Sequence, residues 1–225
     1  MSTLFVIPTP IGNLEDITYR AIKTLKEVDV VLAEDTRVSK KLFSRYNITT
    51  SIRAFHAHNE HKVVSKYIKE LKSGQVIALI SDAGTPGISD PGFLLVREAI
   101  KNNISISCFP GATAFIPALI VSGIPCDRFV FEGFLPPRKG RKKRFEMIGK
   151  ETKTMVFYES PHRLIKTLRE LCDYIDLERK ISISREISKV YEDTIRGNIR
   201  EVIEHFKDKK PRGEFVFVIE GQSYV

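Results

Sequence analysis

VIALISDAGTPGISDPGFLLVREAI, residues Val76–Ile100, settles the fold class. VIALI has the length and apolar character of a buried strand, and FLLVREAI repeats its apolar residues as one face of a helix. Between them Gly84, Gly87, Gly92, Pro86 and Pro91 share a loop with Asp82 and Asp90, and no residue of that loop is basic. A strand entering a helix through such a loop is one β-α unit of an open sheet, where glycine-rich loops meet ligands. A ligand with several phosphates would call for lysine or arginine, which this loop does not supply.

The same alternation extends in both directions. LFVIP precedes a helical spacing of Ile17, Ala21, Leu25 and Val28, and VDVVLA precedes a short helix over Val38–Phe43. A longer helix carries Val63, Val64, Tyr67, Ile68 and Leu71 on one side and stops at Gly74. After the helix that ends near Asn102 comes ISISCF. This pattern predicts a parallel, doubly wound sheet for the first half. PGATAF then opens a helix to Gly123 that crosses into the second half. RFVFEGF, KTMVFYE, RKISISRE and GEFVFVIEG read as strands there, with helices near Gly140–Lys150, Pro161–Ile175 and Ile199–Lys207. Spacing alone does not fix the order of these strands. Two α/β domains are expected, 1–112 and 113–225, without internal repeats.

With 225 residues, 42% hydrophobic and 28% charged, the composition is that of a soluble globular protein. No basic leader precedes the first strand, and no apolar run approaches the roughly 20 residues of a membrane helix. Cys108, Cys126 and Cys172 are scattered, which predicts reduced thiols and a cytoplasmic location. The net charge of +8 is spread along the chain: 14 basic against 11 acidic residues up to Ala112, and 22 against 17 beyond it. One segment stands out. RKGRKKR, Arg138–Arg144, places six basic residues in seven positions. It reads either as a solvated surface loop or as a mobile arm that grips phosphates and steers a nucleic acid.

Four loops follow predicted strands: PTPIGN (Pro8–Asn13), AEDTR (Ala33–Arg37), SDAGTPGISDPG (Ser81–Gly92) and PGATAF (Pro110–Phe115). In an open α/β sheet they meet at one edge, where ligands bind. Neither G-x-G-x-x-G nor a P-loop occurs in the chain. Short side chains, carboxylates and main-chain groups suit a ligand with hydroxyls, an amino group or a positive centre.

PTPIGNLEDIT, AEDTR, SDAGTPGISDPG, PGATA, FEGFLP, FYESPHR, SREISKVYE and RGEF run in order along nearly the whole chain. In them the sequence resembles the tetrapyrrole methylase superfamily. Within it, the chain is most similar to the branch that uses S-adenosylmethionine (SAM) to methylate the ribose 2′-oxygen of a cytidine in the decoding region of 16S rRNA. The resemblance implies two α/β domains of the tetrapyrrole methylase type, with SAM folded in the cleft between them and held largely by main-chain atoms. It further implies a homodimer acting on 16S rRNA or the small ribosomal subunit. Position by position it assigns cofactor binding to Pro10, Thr85, Pro86, Ile88, Thr113, Ala114, Tyr158, Glu159 and Gly213. A sulfonium is a cation, so a loop without lysine suits it. Many tetrapyrrole-acting members carry an aspartate in the middle of the tripeptide that here is Gly84-Thr85-Pro86, and its absence agrees with the RNA branch. Without any ligand, Pro10, Pro86 and Gly213 would serve as turn residues and Tyr158 as a core aromatic.

Methyl transfer is an in-line displacement, and a general base adds typically about 10²–10⁴-fold to the gain from positioning. Glu34 and Asp35 in AEDTR, and Glu186 with Lys189 in REISK, are the candidates; a buried lysine of lowered pKa would also serve. Arg37 and the basic residues Arg138, Lys139, Arg141, Lys142, Lys143 and Arg144 are candidates for RNA contact, with His162 and Arg163 as further ones. In SPHR, Ser160 also reads as an N-cap with Pro161 at the first helical position. HAHNEH, with His56, His58 and His61, lacks zinc-site spacing, and no metal is expected. The alternatives are a small-molecule methylase of the tetrapyrrole type and an RNA-binding ribosome-assembly factor without catalysis.

Overall fold

The computed structural model describes residues 3–222 and divides into two units, Met1–Thr113 and Ala114–Val225. In the first unit, β1 (Thr3–Val6), β2 (Val30–Ala33), β3 (Ile52–Ala54), β4 (Val76–Ile80) and β5 (Ser105–Cys108) form one sheet in the order β3-β2-β4-β1-β5. Every pairing is parallel. The helices between them are α1 (Tyr19–Glu27), α2 (Thr36–Tyr46), α3 (Glu60–Lys72) and α4 (Phe93–Lys101).

Both faces of this sheet are buried, so its central strands are apolar throughout and split their residues by parity. Ile77 and Leu79 of β4 pack with Val64, Leu71 and Leu95 of α3 and α4. Ala78 and Ile80 pack with Ala21, Leu25, Leu42 and Phe43 of α1 and α2. The chain therefore leaves β1 and β2 towards one face and β4, which lies between them, towards the other. This divergence is the switch point at which an open α/β sheet forms its ligand crevice. Thr18 starts α1 by accepting the Ala21 N–H, and Asn47 ends α2 in the left-handed region. The three-residue β3 was not evident in the sequence, because TSIRAF lacks a clear apolar run.

The second unit has a mixed sheet in the order β6-β7-β10-β8-β9: β6 (Phe129–Phe134), β7 (Thr154–Glu159), β8 (Lys180–Arg185), β9 (Asp193–Asn198) and β10 (Phe215–Ile219). Only β6 and β7 run parallel; β10 is antiparallel to β7 and β8, and β9 to β8. Helices α6 (Arg141–Lys150), α7 (Leu164–Leu171) and α8 (Ile199–Phe206) cover one face through Phe145, Ile148, Leu164, Leu168, Ile199 and Val202. α5 (Phe115–Ser122) packs on the other, where Val156, Ser182, Ser184 and Val216 are buried. Strand β9, DTIRGN, is polar and pairs on one side only, so it escapes a reading based on apolar runs. Among the described residues no helix is long and apolar enough to cross a membrane. The three cysteines are free.

Candidate functional site

The four loops after β1, β2, β4 and β5 meet at the carboxyl edge of the parallel sheet. Thr9 and Gly84 exchange both main-chain hydrogen bonds at 2.9 Å, which ties the first loop to the glycine loop. The Thr9 hydroxyl donates to the Ser81 carbonyl at 3.0 Å, and the Ser81 hydroxyl to that of Gly84 at 3.1 Å. Gly84 has φ +83°, a conformation that costs a residue with a Cβ roughly 1–2 kcal/mol. The Thr85 hydroxyl donates to the Ala112 carbonyl at 3.0 Å and brings in the loop after β5. Within this unit Pro10, Thr85, Pro86, Ile88 and Thr113 thus lie on loops bonded to one another or continuous with those that are.

The AEDTR loop joins them through carboxylates. The Asp35 N–H donates to the Asp82 carboxylate at 2.8 Å, and Glu34 accepts a bond from the Asp82 N–H. Burial raises the pKa of Glu34, and the neighbouring Asp82 charge raises it further against the opposing pull of that N–H and His56. Asp35 is in the opposite state. It caps α2, accepting the Arg37 N–H at 2.8 Å, and pairs with the Arg37 guanidinium at 2.6 Å. These bonds hold its pKa down at about 2, far below the operating pH, so Asp35 caps α2 as an anion and is a poor match for a general base. Arg37 itself stays exposed.

The second unit gathers the remaining residues at one edge of its sheet. Glu159 at the end of β7 pairs with Phe215 of β10, and Tyr158 with Val216, so the segment carrying Gly213 lies beside them. Tyr158 contacts Phe131 and Phe134 ring to ring, and Phe131 stacks on Phe115, next to Ala114 at the start of α5. The carboxylate of Glu159 is 1% exposed and engaged: Arg163 pairs with it at 2.8 Å, the Thr167 hydroxyl donates at 2.6 Å and the Ser160 N–H at 2.8 Å. Its side chain therefore supports the fold.

Two expectations change at Glu186 and Lys189. The Lys189 ammonium bonds Glu186 at 3.0 Å and Glu214 at 2.8 Å. Burial alone would lower its pKa, but the two carboxylates outweigh that and raise it, the reverse of the lowered pKa a lysine base needs. Burial likewise pushes Glu186 up, yet the Glu214 N–H and Lys189 together bring it below the usual value. Gly213, at φ +91°, is required by this arrangement: a Cβ there would lie 2.5 Å from Cγ of Glu186.

The basic segment is partly a helix rather than a free arm, since α6 begins at Arg141. Arg141 is 6% exposed and donates to Glu170 at 2.7 Å, to the Thr167 hydroxyl at 2.7 Å and to the Pro136 carbonyl at 3.0 Å. It is a buried structural cation, not a phosphate contact. Arg144 pairs with Glu132 at 3.0 Å, while Arg138, Lys139, Lys142 and Lys143 remain exposed. Arg163 is likewise spent on Glu159 and the Leu135 carbonyl. Helix α7 starts at Leu164 rather than Pro161, its first turn preceded by bonds from Arg163 and Leu164 to the Ser160 carbonyl. Sequence reasoning missed Asp82 as the partner of Glu34 and Arg141 as the partner of Thr167 and Glu170. Acidic residues closing two apolar strands were the only signal for the first, and none marked the second.

Carboxylates at Glu34 and Asp82, short side chains and close main-chain approach, with no basic residue in the glycine loop, fit the cationic sulfonium, amino group and hydroxyls of SAM. Among the described residues no group of three or more metal-binding side chains forms.

The pattern of the Tetrapyrrole (Corrin/Porphyrin) Methylases matches residues 3–203. The ribosomal RNA small subunit methyltransferase I of Thermotoga maritima is 44% identical over 223 residues, covering 99% of this chain and 100% of that protein. The Bacillus subtilis protein of that name is 47% identical over 224 residues, 99% of this chain and 76% of its own length. Diphthine synthase superposes with a TM-score of 0.76 at 12% identity, over 100% of this chain and 92% of its own. A Thermus thermophilus uroporphyrin-III C-methyl transferase, solved with S-adenosyl homocysteine, has a TM-score of 0.66 at 16% identity, covering 97% of each chain. These two share the fold. The chain belongs to the tetrapyrrole methylase family, in the branch of the ribosomal RNA small subunit methyltransferases I.

Proposed function

We propose that this protein transfers the methyl group of SAM to the ribose 2′-oxygen of a cytidine in the decoding region of 16S rRNA. The observation that carries the reading is the carboxylate-rich gathering of four loops at the switch point of the first sheet. Sequence kinship to rRNA methyltransferases over the full chain supports the substrate class. SAM supplies a methyl group on a sulfonium, which the ribose oxygen displaces in line: the O–C bond forms as the C–S bond breaks, and S-adenosylhomocysteine leaves.

The chain's own residues have three tasks. Pro10, Thr85, Pro86, Ile88 and Thr113, on the hydrogen-bonded loops of the first unit, hold the donor; Ala114, Tyr158, Glu159 and Gly213 are assigned to the donor on the resemblance alone. Glu34 accepts the hydroxyl proton; its raised pKa brings it nearer the operating pH than Asp35 or Glu186. Arg138, Lys139, Lys142 and Lys143, with Arg37, contact RNA phosphates. A homodimer working in the cytoplasm on the small subunit completes the proposal.

The test incubates the protein with methyl-labelled SAM and small subunits from cells lacking it, then maps the label by nucleoside mass spectrometry. The expected result is 2′-O-methylcytidine at one decoding-region position. SAM binding without label on subunits or naked RNA would overturn the substrate and bring a small-molecule methylase forward.

A further inference from the structure

The loop joining β8 to β9, residues 186–192, is braced more firmly than a connection requires. Glu186 and Ser188 both occupy the left-handed region, at φ +50° and +65°. Such strained positions persist only where the surroundings hold them, and they cluster at functional sites. Lys189 bridges Glu186 and Glu214, the Ser188 N–H donates to the Glu192 carboxylate at 2.6 Å, and the Glu192 N–H to the Lys189 carbonyl at 3.1 Å. At its tip the braced loop exposes Val190, 93%, and Tyr191, 70%, followed by the exposed acids Glu192 and Asp193.

Two residues beyond Tyr191, Asp193 lines a cavity of about 150 Å³ whose basic side chains are Arg185, Lys209, Lys210 and Arg212, with His205 beside them. Arg185 and Asp193 are register partners in the β8–β9 pair, so the cavity lies at the base of the same hairpin. Its cations are placed rather than loose. Arg185 Nε donates to the Arg212 carbonyl at 2.7 Å, and the Lys209 ammonium lies 2.8 Å from His205 Nε2. Phe206, Pro211 and Phe215 supply apolar walls. The volume is below that of a nucleoside pocket and suits a phosphate group.

An aromatic ring on a rigid loop beside a cationic pocket is the combination that holds unpaired RNA, through one stacked base and its neighbouring phosphate. We propose that the β8–β9 hairpin is an RNA-binding element separate from the Arg138–Arg144 segment. Tyr191 stacks on an unpaired base, and Arg185, Lys209, Lys210 and Arg212 hold an adjacent phosphate. The inference rests on the rRNA reading above and names a second contact for that substrate.

The test measures equilibrium binding of the full chain to unmethylated small subunits and to single-stranded decoding-region RNA over a range of salt. Tyr191→Ala should weaken binding about tenfold, and Tyr191→Phe should restore it. Lys209→Gln with Lys210→Gln should lower the slope of log affinity against log salt by about one to two. SAM affinity by calorimetry, the thermal midpoint and the sedimentation coefficient should stay unchanged in every variant. Binding of the variants within twofold of the parent would overturn the inference alone. Altered sedimentation on losing Tyr191 would overturn it in favour of a contact between protein copies. A parent chain that binds neither probe would remove the rRNA reading, and this inference with it.

Discussion

Glu34 and Glu186 are both partly buried glutamates just beyond strands, in loops the sequence marked as chemical, yet the fold leaves them in opposite states. Glu186 accepts the Glu214 N–H and pairs with Lys189, which together bring its pKa down. Burial raises the pKa of Glu34, and its carboxylate neighbours Asp82 and Asp35 raise it further. A charge paired with a cation holds a backbone in place; a partly buried one set among like charges stores a readiness to take a proton. The glycines divide in the same way. Gly213 is required by the Glu186 side chain packed against it, whereas a Cβ on Gly84 would meet only ordinary contacts, at 3.5 Å from Ile11 and 3.6 Å from the Ala112 carbonyl.

The largest effect expected from this contrast is on turnover. Glu34→Gln should lower kcat by about 10²–10⁴-fold and weaken SAM binding far less, because the proton acceptor is lost while Asp82 keeps a carboxylate on the same loop edge. Glu186→Gln should leave kcat within severalfold, in keeping with a loop brace. Single-turnover methylation of subunits beside calorimetry of SAM separates the two, and equal losses from both variants would erase the distinction between the glutamates.

Stability should follow the reverse order. Gly213→Ala combines a left-handed backbone with a collision against Glu186 and should cost about 3 kcal/mol by urea unfolding. Arg163→Ala should cost a similar amount, about 3 kcal/mol, by leaving the carboxylate of Glu159 buried without its cation. Gly84→Ala carries backbone strain alone, about 1–2 kcal/mol, and should instead weaken SAM binding at the switch-point edge. A larger unfolding cost at Gly84 than at Gly213 would mean that the glycine loop is the better-packed region.

The first unit was legible because a parallel sheet buried on both faces writes each strand as an apolar run and each helix as a 3.6-residue period. VIALI, VDVVLA and the Val63–Leu71 pattern needed no partner to be read. The four-loop edge followed from strand order in an open sheet, and its residues are indeed hydrogen-bonded across loops. The second unit was harder to read. Polar β9 pairs through its backbone, and the antiparallel order depends on which strands meet, which no local pattern states. Charge was the least legible feature. Arg141 belongs to a run that looks solvated, yet it is buried because Glu170, Thr167 and Pro136, distant in sequence, supply its partners. Lys189 seemed suited to a lowered pKa until Glu214 appeared beside it. A residue's type is visible in a sequence, but its ionisation is set by neighbours that only the fold brings near.

The smallest effect is the most direct test of that statement, because it concerns sign. For Glu186 the folded state binds its proton less tightly than the unfolded chain. Its contribution is therefore complete above the ordinary glutamate value and is lost as pH falls through the lowered one. For Glu34 the folded state binds the proton more tightly, so stability declines as pH rises from the ordinary value through the raised one. Replacing each by glutamine should thus move urea midpoints in opposite directions at neutral pH. Glu186→Gln should fall below the parent and Glu34→Gln should equal or exceed it, the Glu34 difference shrinking as pH falls to the ordinary glutamate value and the Glu186 difference only as pH falls further, through its lowered one. A Glu34→Gln midpoint that falls at neutral pH as far as that of Glu186→Gln would show that Glu34 is a compensated structural charge, and the proton acceptor would have to be sought elsewhere on the same loop edge.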